Sequence, residues 1–103
     1  MVTLAHTITS AVGEDGQVVM AWSAPSYDGG AAIINYTNYR GTVSGSLSAL
    51  VTLGNVTSYV DQGLSNGLTY YYRISATNAF GEGLLSSEVW SIPLSVPSVI
   101  EFV

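Results

Sequence analysis

Gly63-Leu64-Ser65-Asn66-Gly67-Leu68-Thr69-Tyr70-Tyr71-Tyr72-Arg73-Ile74-Ser75-Ala76-Thr77-Asn78-Ala79-Phe80-Gly81-Glu82-Gly83 is the stretch that decides the fold. Ser65-Asn66-Gly67 is turn chemistry, and the residues after it alternate with the two-residue period of a strand. That period puts Tyr70, Tyr72, Ile74 and Ala76 on one face and Tyr71 and Arg73 on the other. Asn78-Ala79-Phe80-Gly81 then closes the strand with an Asn-x-x-Gly turn. Leu64 and Tyr70 stand where a β-sandwich keeps its tyrosine corner, a Tyr early in a strand whose hydroxyl bonds back to the preceding loop. The stretch predicts an all-β sandwich.

Outward from it, strand signals recur at short spacing between Gly, Asn, Asp and Pro, and no segment sustains a helical period. Upstream, a first strand holds Ile8 and ends at the turn 13–16. A second alternates through Val18, Met20 and Trp22, and Pro25 and Ser26-Tyr27-Asp28-Gly29-Gly30 break it. A third covers about 33–40, and 47–53 and 57–60 form the fourth and fifth on either side of Gly54-Asn55. The decisive stretch holds the sixth, about 69–77, and a seventh covers about 84–92 before Pro93. The expectation is a seven-stranded antiparallel β-sandwich with immunoglobulin-like connections. Its core centres on Trp22, Tyr36, Leu64, Tyr70, Tyr72, Ile74 and Val89. Residues 1–93 form the domain and 94–103 a linker or tail.

A chain of 103 residues is enough for one two-layer core. Charged residues make up 9%, against about 25% in an ordinary globular domain. Lys is absent, and Arg40 and Arg73 are the only cations. A net charge of −5 excludes a nucleic-acid partner, which needs clustered Lys and Arg, and disfavours anionic membranes. No apolar run reaches the roughly 20 residues that span a bilayer. The low-charge surface fits an exported protein better than a cytosolic one. Residues 1–6 lack the features of a signal peptide, so a secreted parent would make this chain an excised piece. With no cysteine there is neither disulfide nor thiolate site.

The residues resemble a fibronectin type III domain of the kind found in microbial extracellular proteins. The resemblance runs through Asp15-Gly16-Gln17-Val18 to Trp22, Ala24-Pro25, Asp28-Gly29-Gly30, Ile33, Tyr36 and Tyr39-Arg40-Gly41-Thr42. It continues through Asn55-Val56-Thr57-Ser58-Tyr59, Asp61, Gly63-Leu64, Tyr70-Tyr71-Tyr72-Arg73, Asn78-Ala79-Phe80-Gly81-Glu82-Gly83 and Ser87-Glu88-Val89, covering about 8–93. It implies a non-catalytic spacer or interaction module of a multidomain chain, often beside the catalytic domains of polysaccharide-degrading enzymes. It also occurs in surface-layer and phage-tail proteins. The adhesive Arg-Gly-Asp tripeptide of some animal members is missing.

Two positions depart from that pattern. Asn38 stands where the family has an aliphatic residue, and alternation from Tyr36 points it inward. Either a backbone group or buried water satisfies its amide, or a bulge turns it outward. Trp90 stands where the family has a small polar residue, and Val89 facing the core turns Trp90 outward.

Candidate chemistry is sparse. His6 has no second His or Cys to complete a metal set. Glu14-Asp15 is a turn pair, no helix follows Asp28-Gly29-Gly30 to cradle phosphate, and the serines lack an activating base. Asp28, Asp61 and Glu82 could offer oxygen to calcium, but in no dense acidic loop, and read as solvated loop acids. No enzyme activity, cofactor or metal is expected. Asn35 and Asn55 head glycosylation acceptor patterns, of which only the turn-borne Asn55 is usable.

The aromatics carry the functional expectation. With the last hairpin centred between Phe80 and Gly81, Tyr71 lies opposite Trp90 and Arg73 opposite Glu88. Tyr39 approaches from the third strand, giving an outward row Tyr39–Tyr71–Trp90 flanked by an Arg73–Glu88 pair. Such a row can stack on sugars or anchor a protein. Equally, it can only stabilise the sheet, at about 0.2–1 kcal/mol per cross-strand pair, or lie under the apolar tail 99–103. The alternative site is the loop pole around Tyr27, Asn55 and Phe80.

The sequence reading is therefore a non-catalytic spacer or interaction module of an extracellular or cell-surface protein, partnered by neighbouring domains. A carbohydrate-binding module and a structural assembly domain of a surface layer or phage particle are the alternatives. The domain is expected to be a monomer with weak self-association through lightly guarded sheet edges.

Overall fold

A computed structural model describes residues 8–24 and 30–94, and every regular element among them is a strand. In chain order these are β1 (Ile8–Glu14), β2 (Gln17–Trp22), β3 (Asn35–Gly41), β4 (Ser48–Leu53) and β5 (Ser58–Gln62). β6 (Tyr70–Asn78), β7 (Gly81–Glu82) and β8 (Val89–Ser91) follow. His6, Pro25, Tyr27, Asp28 and the tail beyond residue 94 lie outside the described residues.

Two antiparallel sheets form, one ordered β1-β2-β5, the other β4-β3-β6 with both β7 and β8 on the far edge of β6. Asp15-Gly16 joins β1 to β2 as a tight hairpin in which Glu14 pairs with Gln17. Gly16 has a φ of +70°, the left-handed region that a residue without Cβ enters most readily. Alternation then sorts the residues. Val18, Met20 and Trp22 of β2 face Tyr36 of β3 and Tyr70, Tyr72, Ile74 and Ala76 of β6, with Ile8 at one end. The rings of Trp22 and Tyr36 are tilted at 57° with centroids 5.7 Å apart, a favoured aromatic arrangement. Burying each such side chain stabilises the fold by about 1.5–3 kcal/mol. Of the expected core, Leu64 and Val89 are only half-buried and pack against its margin.

The tyrosine corner forms as the sequence predicts. The Tyr70 hydroxyl accepts a hydrogen bond from the Ser65 amide at 3.0 Å, and the Leu64 amide bonds Gly16 O at 2.9 Å. The far end of the domain is tied down nearby. Leu94 N donates to Glu14 O, Gly67 N donates to Pro93 O, and a Cβ on Gly13 would stand 2.0 Å from Ile92 O. Only glycine lets β1 approach the chain leaving β8 so closely.

Of the expected seventh strand over 84–92 only β8, Val89–Ser91, is strand, and the short β7 forms before it in the expected turn, which raises the strands from seven to eight. Ser86 is the physical cause. Its hydroxyl accepts the Ile74 amide at 2.9 Å while its own amide bonds Ile74 O at 2.8 Å. A side-chain oxygen thus replaces a ladder carbonyl, and Ser86 turns inward, leaving Leu84 and Leu85 exposed.

Candidate functional site

The outer face of the larger sheet is built by the odd-numbered residues of β3 and β6 and by Trp90 of β8. Tyr71 and Trp90 are direct cross-strand partners, and Trp90 is 63% exposed. Tyr39 does not join their row. The β3–β6 register sets Gly41 opposite Tyr71 and Tyr39 opposite Arg73, two residues further along. The Tyr39 hydroxyl donates to Glu82, away from Trp90, and Ser75 Oγ donates to the same carboxylate oxygen. That bond to a carboxylate, with partial burial, pushes the Tyr39 phenol above the usual tyrosine range.

The expected Arg73–Glu88 pair also fails to form: the two are not within 4 Å as an ion pair. Glu88 is instead spent on the β3–β4 loop, accepting the Ser44 hydroxyl and the Gly45 amide. Those bonds, aided by the nearby charge of Arg73, hold its carboxyl below the usual glutamate range. Arg73 is left on the wall of an open pocket of about 150 Å³ lined by Tyr39, Gly45, Leu47 and Leu85. Its Nε is buried and meets no acceptor within the protein.

A second polar constellation lies inside the sandwich. Arg40 Nη1 reaches both Asp61 oxygens, at 2.8 and 3.0 Å, and the Tyr72 hydroxyl donates to Asp61 Oδ2 at 2.7 Å. The Arg40 guanidinium also lies over the Tyr70 ring, 5.7 Å from its centroid. This network ties β3 and β6 of one sheet to β5 of the other. Asp61 is therefore not the solvated loop acid expected from sequence: it sits in β5, 2% exposed, with Tyr59 on the same face. Parity could have found the pair. Tyr36, Asn38 and Arg40 share an inward phase, and two inward charges in so uncharged a chain have each other as partners. Buried as it is, the carboxylate has no path to a substrate. Its work is structural.

Burial first, and the hydrogen bond to Asp61 second, push the Tyr72 phenol far above the usual range. An unfolded tyrosine ionises near pH 10, so below that pH both states keep the proton and stability is unaffected. As pH rises further the unfolded state alone loses it, and stability falls by about 1.4 kcal/mol per pH unit for this group. Denaturant midpoints between about pH 9 and 11.5 are expected to drop, with a shallower decline in Tyr72→Phe. Equal slopes in both proteins would contradict the assignment.

At the alternative pole, Asn55 Nδ2 bonds Ile33 O at 3.4 Å and Phe80 is exposed beyond an Asn78 side-chain turn, while Tyr27 lies outside the described residues. Among the described residues no three His, Cys, Asp or Glu side chains gather as a metal site. No helix there is long and apolar enough to cross a membrane.

Two facing antiparallel sheets joined in this order, with the tyrosine corner closed, define an immunoglobulin-like β-sandwich. The sixth fibronectin type III domain of a human fibronectin type III domain-containing protein superposes with a TM-score of 0.71 at 25% identity, covering 98% of this chain and 92% of that one. The fold is that of a fibronectin type III domain. No family model matches the sequence. Among curated relatives, a Kelch domain-containing protein of Saccharolobus solfataricus is 33% identical over 91 residues, 88% of this chain and 12% of that protein. An amylopullulanase of Thermoanaerobacter thermohydrosulfuricus is 36% identical over 90 residues, 84% of this chain and 6% of that protein. The chain thus spans an eighth or less of the length of these relatives. Domains of this family are generally non-catalytic modules of larger chains.

Proposed function

We propose that this domain is a spacer and interaction module within a larger extracellular or cell-surface chain, with residues 94–103 leading onward from it. The size relation carries the reading: the same unit fills nearly all of this chain and a small part of each long relative. Its tied-down C-terminal end supports it too. Leu94 and Pro93 are bonded to the body of the sandwich, so the chain leaves it from a fixed point.

A second reading is favoured by Trp90. An indole 63% exposed beside Tyr71 is a flat apolar surface of the kind that stacks on sugar rings, and one relative is an amylopullulanase. Co-sedimentation with insoluble chitin, cellulose and xylan, comparing the wild type with Trp90→Ala, tests it. The sheet-face reading expects retention that falls at least about tenfold in the variant, because stacked aromatics dominate such contacts. Absence of retention in both proteins would leave the spacer reading alone.

A further inference from the structure

Arg40 and Arg73 are the only cations of a chain with net charge −5, and they differ in one respect. Arg40 is ion-paired with Asp61 through Nη1. Arg73 has no hydrogen-bonded or ion-paired partner among the described residues, although the Glu88 carboxylate feels its charge and Glu82 accepts the hydroxyl of Tyr39, the cross-strand partner of Arg73. Both are committed elsewhere. Glu82 takes the Tyr39 and Ser75 hydroxyls, and both oxygens of Glu88 are held by Ser44 and Gly45. A guanidinium without a direct hydrogen-bonded partner therefore lines a pocket of about 150 Å³ with apolar walls from Leu47, Leu85 and the Tyr39 ring. Tyr71, next but one to Arg73 on the same strand face, carries the Tyr71–Trp90 surface up to it.

From this we infer that the Arg73 pocket is a subsite for the carboxylate of an acidic sugar, a hexuronate whose neighbouring ring lies on Tyr71 and Trp90. The inference rests on the sugar-stacking reading of that face and adds its selectivity. A planar guanidinium donates two parallel hydrogen bonds to a carboxylate, bonds that Glu82 and Glu88, held by hydroxyls and an amide, do not make with it. The open pocket, about 150 Å³, has room for a single sugar ring. The net negative charge of the domain repels a long polyanion, so recognition is local and shows best with short oligomers.

The test compares trigalacturonic acid with the same trisaccharide after reduction of its carboxyls to hydroxymethyl groups, by calorimetric titration of the wild type, Arg73→Met and Arg73→Lys. The wild type is expected to bind the acid about tenfold more tightly than the reduced sugar, the worth of one charge-assisted pair. Arg73→Met should bind both alike, and Arg73→Lys should keep part of the preference. Equal binding of both sugars by the wild type overturns the carboxylate subsite while leaving the aromatic platform standing. Binding of neither brings down both. A preference that survives in Arg73→Met also overturns the assignment. Should Arg73→Met not fold, the wild-type comparison alone still decides.

Discussion

Asp61→Ala is expected to destabilise the domain by about 3 kcal/mol, the low end of what breaking a buried ion pair costs. The substitution leaves the Tyr72 hydroxyl buried without its acceptor and the Arg40 guanidinium without its counter-ion. Arg40 keeps a side chain 30% exposed, and water recovers part of its solvation, which is why the upper end of the range is not reached. Set against a total stability of about 5–15 kcal/mol, the loss is large, and the melting temperature should fall by on the order of 15 °C. Asp61→Asn keeps the volume and an acceptor for Tyr72 while removing the charge, so it should cost about half as much. Chemical denaturation of the three proteins reads this directly. A loss below about 1 kcal/mol in Asp61→Ala would mean that the two sheets do not depend on the network.

Asn38→Val should act in the opposite direction, stabilising the domain by about 1–2 kcal/mol. Asn38 is fully buried, and neither its amide nitrogen nor its oxygen finds a hydrogen-bond partner in the protein. Of the two sequence expectations, the inward placement holds and the outward turn fails, and no backbone group bonds the amide. There is a bulge beside it, between Asn38 and Tyr39 in the pairing with β4. The extra residue is Leu50 of β4, so Asn38 keeps its inward phase. Its cross-strand partners are Val51 on one side and Ile74 on the other, apolar neighbours that offer the amide nothing. A β-branched residue only about one methylene larger removes the desolvation cost and suits a strand. The check is the denaturant midpoint of Asn38→Val beside Asn38→Ala, which should lose stability through the cavity it leaves. If Val lowers the midpoint as Ala does, the native amide is making bonds and the prediction fails.

Most of the fold was legible because sandwich strands announce themselves locally. Tyr70 to Ala76 could be assigned to the core from spacing alone, and the Ser65-Asn66-Gly67 turn before Tyr70 marked the corner. Trp90 could be turned outward once Val89 was turned in. The candidate face was legible only in part. Tyr71 opposite Trp90 followed from centring one hairpin, and that short reach along the chain was enough. Tyr39 opposite Tyr71 needed the register between strands some thirty residues apart, and the guess missed by two positions. Ser86 was invisible for a different reason, since nothing in its neighbours says that a hydroxyl will stand in for a carbonyl.

By itself, then, the sequence determined the all-β class, the tyrosine corner and the outward phase of Trp90, while it left Asn38 open between an inward and an outward placement. Each follows from the two-residue period of a single strand or from the chemistry of a single turn. Only the tertiary structure decided that Arg40 would meet Asp61, that Glu88 would leave Arg73 for Ser44 and Gly45, and that Tyr39 would bond Glu82. Those choices depend on how strands distant in the chain are aligned and how two sheets face each other. Alignment is set by the packing of the whole core, while parity is a property of one strand.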